Sequence, residues 1–339
     1  MDIDTRNDGQ AMNDGQAMQE LMRSAAEEAT RAPSVLNTQP WRWDVGEDEL
    51  DLHADRTRQL HAIDPAGRLL VLSCGAALHH ARVALAAAGF SPSVRRHPDA
   101  GDPDLLARVR IGEVRAVRAE DTAVADAMRR RRTDRRPFQA SGPATGDTLA
   151  ALHRAAAAED TTLHRIDGDQ IAYLRAAEHG AQIIEAKDER RREELREWTE
   201  HTAARGEGVP PETVTGPVPR PVPLRDFGLG DQATLTPGTG DDRSAEYLLL
   251  ATNTDDPAAW LRAGEAVSAV WLTAISRGLA VSPMSDAIEV PGARALLRSL
   301  LPGGGNPQLV LRVGTDPGSP PPASPRRPIG DVIGDGSEP

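Results

Sequence analysis

Two well-separated stretches of the chain carry one pattern. Residues 75–89 read GAALHHARVALAAAG, and residues 264–278 read GEAVSAVWLTAISRG. Both have helical period, with Leu78, Ala81 and Leu85 standing where Val267, Val270 and Ala274 stand. Both also end in the glycine expected at a helix C-terminus. A short alternating strand precedes each, ELDLHAD at 49–55 and EYLLLAT at 246–252. A further strand ending in glycine follows each, LLARVRIG at 105–112 and PQLVLRVG at 307–314. The expectation is one α+β unit used twice, as antiparallel sheets with flanking helices, divided near residue 120.

The 339 residues suit about two domains. The first half would cover 19–120 and the second 121–339. Residues 1–18 hold a tandem NDGQAM, whose Asn, Asp and Gly disfavour helix interiors, so a flexible tail is expected there. The helix after it should stop at Pro33. An insert interrupts the second half. Residues 186–208 look like a strongly charged helix with little apolar face, and residues 209–230 are rich in proline. The stretch 187–230 reads either as a disordered surface insertion or as a lid over a site.

The net charge of −12 repels polyanions and argues against general nucleic-acid binding. The single cysteine, Cys74, follows the apolar run RLLVLS and reads as a buried small hydrophobe. The N-terminus lacks the apolar core of a secretory signal, and no apolar run approaches the roughly 20 residues of a membrane span. A soluble, cytoplasmic protein that binds neither nucleic acid nor membrane is the expectation. No GxGxxG after a strand, P-loop, HExxH, CxxC or GxSxG is present. The nine histidines are scattered, and the adjacent His79 and His80 should not share a helix face. Neither a metal site nor a protein nucleophile is indicated.

Two segments stand out chemically. MRRRRTDRRPF places Arg129, Arg130, Arg131, Arg132, Arg135 and Arg136 within eight positions, around Thr133. Guanidinium forks bind phosphate oxygens in bidentate fashion; a solvated helix end, or less readily a nucleic-acid contact, would also account for them. A second basic pair, Arg326 and Arg327, lies near the C-terminus. The other segment, RAPSVLNTQPWRW at 31–43, gathers two of the chain's five tryptophans. Pro33 and Pro40 would stiffen a loop presenting Ser34 and the amides of Asn37 and Gln39 to the edge of a flat heterocycle. Trp41 and Trp43 would point to one side of a strand, more as core anchors than as ligand stackers.

APSVLNTQPWRW resembles the PS-x-x-N-x-Q-P-W loop of the nitroreductase superfamily, whose members are FMN-dependent oxidoreductases. RRRTDRRPF resembles that family's phosphate-binding element. GLAVSPMS, followed by VLRVG and PRRPI, resembles its later flavin-ring loop, last core strand and C-terminal basic residues. The internal echo and the order of the motifs are similar to the Acg branch, in which one chain imitates a nitroreductase dimer.

The resemblance implies a monomer with a nitroreductase-like fold and one FMN site made across an intramolecular pseudo-dimer interface. Arg131, Thr133 and Arg135 would hold the phosphate, with Arg132 close by and Arg326 or Arg327 assisting. Pro33, Ser34, Asn37 and Gln39 would line the ring and its polar edge, and Pro283, Met284 and Ser285 would pass beneath it. The implied chemistry is ping-pong electron transfer from NAD(P)H to a nitro or quinone-like acceptor, with no catalytic side chain required. The branch also implies an alternative, an FMN-sequestering protein whose lid blocks nicotinamide.

Overall fold

Glycine decides how the two echoed helices meet. A Cβ on Gly75 would lie 2.0 Å from the Leu261 carbonyl oxygen and 2.9 Å from the Gly264 Cα. A Cβ on Gly264 would lie 1.9 Å from the Leu72 carbonyl oxygen and 2.8 Å from the Gly75 Cα. With no side chain at either position, the two backbones touch. The contact is reciprocal, since Leu72 and Leu261 occupy corresponding places before the two glycines.

The computed structural model describes residues 4–139, 144–200, 205–315 and 318–335. In chain order the elements are α1 (Asp4–Ala29), β1 (Trp41–Val45), β2 (Glu49–Ala54), α2 (Arg68–Ala87), β3 (Ser93–Arg96), β4 (Leu105–Arg110) and α3 (Ala119–Arg130). They continue as α4 (Gly146–Ala157), β5 (Thr162–Ile166), α5 (Gln170–Lys187), α6 (Glu189–Glu200), β6 (Glu246–Thr252) and α7 (Pro257–Ser276). The last are β7 (Leu279–Met284), α8 (Asp286–Glu289), α9 (Pro291–Arg298), β8 (Asn306–Thr315) and β9 (Ile333–Asp335).

The α+β class is as expected. One sheet has the order β3-β4-β2-β1-β9, antiparallel except for the parallel β1–β9 pair. The other is antiparallel throughout, in the order β5-β6-β8-β7. The first sheet packs one face on α1 and α2. On that face Trp41 and Trp43 are fully buried beside Cys74, as alternation along β1 requires. The second sheet is covered on both faces, by α7 and α4 on one and by α5, α8 and α9 on the other. That is why every residue of EYLLLAT is buried, where an alternating strand was expected.

Several expectations change. The tandem NDGQAM lies within α1, where a tail was expected; the helix is anchored by its apolar face after Met18. α2 begins at Arg68 and absorbs the run before Gly75. At 20 residues it is long and apolar enough to cross a membrane, against the expectation of no such run, yet 83% of its apolar window is buried inside the fold. His79 and His80 both reach one hydroxyl, Ser268 Oγ, at 2.8 and 2.9 Å, because α7 packs against the edge between them. The chain's last strand, β9, returns to the first sheet, so the division at residue 120 does not hold at the C-terminus.

Candidate functional site

The loop between α1 and β1 is wound into an unusual conformation. Leu36, Asn37 and Gln39 all have positive φ, at 44°, 56° and 50°. Three non-glycine residues in the left-handed region cost of order 1 kcal/mol or more each, so the surroundings must hold them. Ser34 Oγ accepts the Gln39 N–H at 2.9 Å, and Ser73 Oγ on α2 accepts the Val35 N–H at 3.1 Å. The Asn37 amide donates to the Pro325 carbonyl and accepts from Arg326, both within 3.1 Å. The Gln39 amide donates to the Gly206 carbonyl at 2.8 Å and accepts the Arg327 N–H at 3.0 Å.

That loop forms one wall of a cleft with about 1080 Å³ of empty space, its open mouth included. Leu69, Leu72 and Ser73 of α2 and Val267 and Trp271 of α7 form its floor. Pro283, Met284 and Ser285, where β7 runs into α8, form a second wall. Thr133 is drawn alongside by a bridge to Val281, and the Asp134 N–H donates to the Val281 carbonyl at 3.1 Å. From the insert, Gly208, Val209, Leu224, Arg225 and Phe227 face the same space.

The arginine run divides by environment. Arg129 and Arg130 close α3 on the surface, as the helix dipole favours. Arg136 is buried and neutralised by both oxygens of Asp134, at 2.9 and 2.7 Å. Arg131 and Arg135 face the cleft together with Arg326. Among the described residues none of these three has a carboxylate partner. Arg131 is 6% exposed, donates to the Arg31 carbonyl at 2.9 Å and lies 4.9 Å from the Trp271 ring centre. The Nε groups of Arg131 and Arg326 have no hydrogen-bond partner among the described residues.

Burial, then the charges of Arg326 and Arg132, push the Arg131 guanidinium well below its usual range. Burial, then Arg132 and Arg31, push Arg326 down to about 10. Burial, then Arg225, does the same to Arg135. Arg131 and Arg326 are thus partly desolvated cations at one end of the cleft, each with a spare Nε–H and no carboxylate bound to it among the described residues. Arg135 lies towards Arg225, with Asp134 near it. The first pair suits an anion with several oxygens.

No family model matches the chain. A Mycobacterium tuberculosis H37Rv protein named "Putative NAD(P)H nitroreductase Rv3131" is 38% identical over 330 residues, covering 95% of this chain and 94% of that one. "Putative NAD(P)H nitroreductase acg" of the same organism is 36% identical over 321 residues, covering 93% and 95%. This chain belongs to the nitroreductase family. Among solved structures, an FMN-bound nitroreductase from Desulfitobacterium hafniense is similar with a TM-score of 0.40 at 14% identity, covering 62% of this chain and 97% of that one. An FMN-bound nitroreductase from Bacteroides fragilis has a TM-score of 0.36 at 14% identity, covering 57% and 88%.

Of the residues carrying the nitroreductase resemblance, the cleft gathers Pro33, Ser34, Asn37, Arg131, Thr133, Arg135, Pro283, Met284, Ser285 and Arg326. Three lie outside its lining. Arg132 turns back onto the Arg129 and Arg131 carbonyls. Gln39 and Arg327 bind each other and tie the loop to the C-terminal segment. The expectation that the Gln39 amide faces a ligand edge is therefore corrected: Gln39 does not line the cleft and its hydrogen bonds are made within the protein, while Asn37 lines the cleft with its amide also bonded to Pro325 and Arg326. Sequence reasoning missed Ser73, Trp271, Arg225 and Glu178, and no local motif marks any of them.

Proposed function

We propose that the cleft binds FMN and that the chain is an NAD(P)H-dependent oxidoreductase of nitroreductase type, acting on a small nitro or quinone-like acceptor. The observation that carries this reading is the set of Arg131, Arg135 and Arg326 without a carboxylate partner. A phosphate dianion would satisfy the free Nε–H groups of Arg131 and Arg326 and offset the cost of burying the cations. The apolar floor suits a flat ring system, and the wound loop holds Ser34 and Asn37 against it. FMN bound there would supply hydride and electron transfer. The side chains bind, orient and exclude water.

The same reading makes one chain do the work of two subunits. The reciprocal Gly75–Gly264 contact is what a twofold interface produces. It also supports a single site per chain, in a monomer. In the helical correspondence, Ala76 and Trp271, which line the cleft, match Glu265 and Arg82. Glu265 is fully buried and accepts from Arg82 at 2.7 Å and from Arg96 at 2.7 and 2.8 Å. Ion pairs thus fill the position where a second cleft would lie.

The absorbance spectrum of the purified protein tests this reading. A flavin band that is lost in Arg131→Ala/Arg135→Ala supports it; a colourless protein that ignores added FMN rejects it. A second reading, FMN sequestration, rests on the insert. Arg225 reaches from it to Glu289 at 2.6 Å and to Asp286, and Thr213 accepts from Arg135 at 3.1 Å, so the cover is pinned at both ends. Rapid mixing with NADH or NADPH separates the two, because only a turning-over enzyme bleaches.

A further inference from the structure

Glu178, on α5, lines the cleft yet is 1% exposed, and its Oε1 has no hydrogen-bond partner among the described residues. It belongs to a wall of acids. Gln182 and Glu185 follow it at one-turn spacing on the same helix face, and α8 contributes Asp286 and Glu289. Two guanidiniums answer the four carboxylates. Arg225 bonds Asp286 and Glu289, and Arg191 lies 3.3 Å from Glu185 and 3.9 Å from Glu289. Asp64 adds a further acid on the Glu289 side.

Glu185, Asp286 and Glu289 bring their oxygens close enough together for a metal ion. Arg225 already occupies that position as a fixed cation. The remaining imbalance must be met by protons, and Glu178, which receives no hydrogen bond from either guanidinium, is where a proton belongs. Burial, then Asp286, holds its carboxyl well above the usual range; burial likewise holds Glu185 up, to about 9.

The wall also separates two cavities. Glu178 faces the cleft, Glu185 and Gln182 line a second cavity beneath α6 and the insert, and Arg225 borders both. We propose that Glu178 is a catalytic acid, a protonated carboxyl that hands its proton to the oxygen of an acceptor in the cleft and is recharged from the second cavity through Glu185. This rests on the oxidoreductase reading above. For a quinone-like acceptor the balance is complete. A hydride originating in NAD(P)H supplies two electrons and one proton. The Glu178 O–H breaks as the second acceptor O–H forms, and water reprotonates the carboxylate.

The first test needs no flavin. Infrared spectra of the full chain without added nucleotide, taken across neutral pH in H₂O and D₂O, should show C=O stretches of protonated carboxylic acids, one component of which disappears in Glu178→Gln while the Glu185 component remains. No such band, or one unchanged in the near-isosteric Glu178→Gln, overturns the proposal even if FMN binds. In the flavin-loaded protein, Glu178→Gln should slow reoxidation by benzoquinone by about 10²-fold or more and flatten its fall at high pH. Reoxidation that keeps wild-type rate and pH dependence would also overturn it. Glu185→Gln, further from the cleft, should lose its own component, keep the one assigned to Glu178 and weaken only the pH dependence; loss of the Glu178 component in that variant would contradict the assigned order. A protein that binds no flavin removes the oxidoreductase reading while leaving the infrared result to be judged alone.

Discussion

Gly75 and Gly264 touch backbone to backbone where α2 crosses α7, and each leaves room for the carbonyl of the other helix. A methyl group at either place would sit about 2 Å from a peptide oxygen, and main chain cannot swing aside as a flexible side chain can. Gly264→Ala should therefore destabilise the fold by at least about 1–3 kcal/mol, the usual cost of overpacking. Gly75→Ala should do the same by the reciprocal contact. Urea unfolding reads this as a lower midpoint with the slope retained.

Arg131 is a buried cation with an idle Nε. Replacing such a group with an apolar side chain of similar length is neutral or stabilising when nothing fills its site. Arg131→Met should thus leave the melting temperature of the flavin-free protein unchanged or higher. The same change should weaken FMN binding about 10–100-fold, as expected for a lost hydrogen bond to a charged group. Riboflavin, which lacks the phosphate, should bind both proteins alike. Equal losses for FMN and riboflavin would place Arg131 against the ring instead.

The extent to which this site can be read from sequence follows from how local its parts are. The 33–43 loop and the arginine run are compositional anomalies, visible before any fold is known, and ten of the thirteen expected residues line one cleft. Composition alone does not say which arginines face it; the resemblance singles out Arg131 and Arg135, and both line the cleft. Asp134 takes Arg136 out of play, and the bridge of Thr133 to Val281 draws this segment alongside the cleft. Ser73 and Trp271 belong to apolar helix faces that look like any core stripe. Their role follows from the Gly75–Gly264 crossing, a contact between distant segments. Glu178 resembles an ordinary helical glutamate until α8 packs against it.

Asp64 provides a titration test. Its carboxylate accepts the Leu70 N–H at 2.9 Å near the start of α2, and burial raises its pKa to about 6, against that hydrogen bond. An unfolded aspartate titrates near 3.9. Between these values the folded protein keeps a proton that the unfolded chain has released. The contribution is present in full below about pH 4 and is lost as pH rises through about 6, with a slope of at most about 1.4 kcal/mol per pH unit. Other raised carboxyls act in the same direction, so the informative quantity is the difference between wild type and Asp64→Asn. That difference should change between pH 4 and 6 and stay level above pH 7. A level difference throughout would show that Asp64 titrates normally.

The ion pairs opposite the cleft make the last prediction. Glu265 is fully buried with Arg82 and Arg96 as its donors, and Arg82 is shared with Glu159. Arg96→Ala removes a bidentate partner and leaves a desolvated carboxylate half-answered, at a cost of about 1.5–3 kcal/mol. Adding Glu265→Gln removes the stranded charge and keeps the shape, so the double variant should be more stable than Arg96→Ala alone. The two changes should therefore be strongly non-additive in a denaturant cycle, while additive losses would mean that Glu265 is not held by Arg96. If these ion pairs close what would be a second cleft, flavin stoichiometry in every variant that folds should stay at one per chain. A second equivalent of FMN in the Arg96→Ala/Glu265→Gln protein would mean that charge alone had kept the second cleft shut.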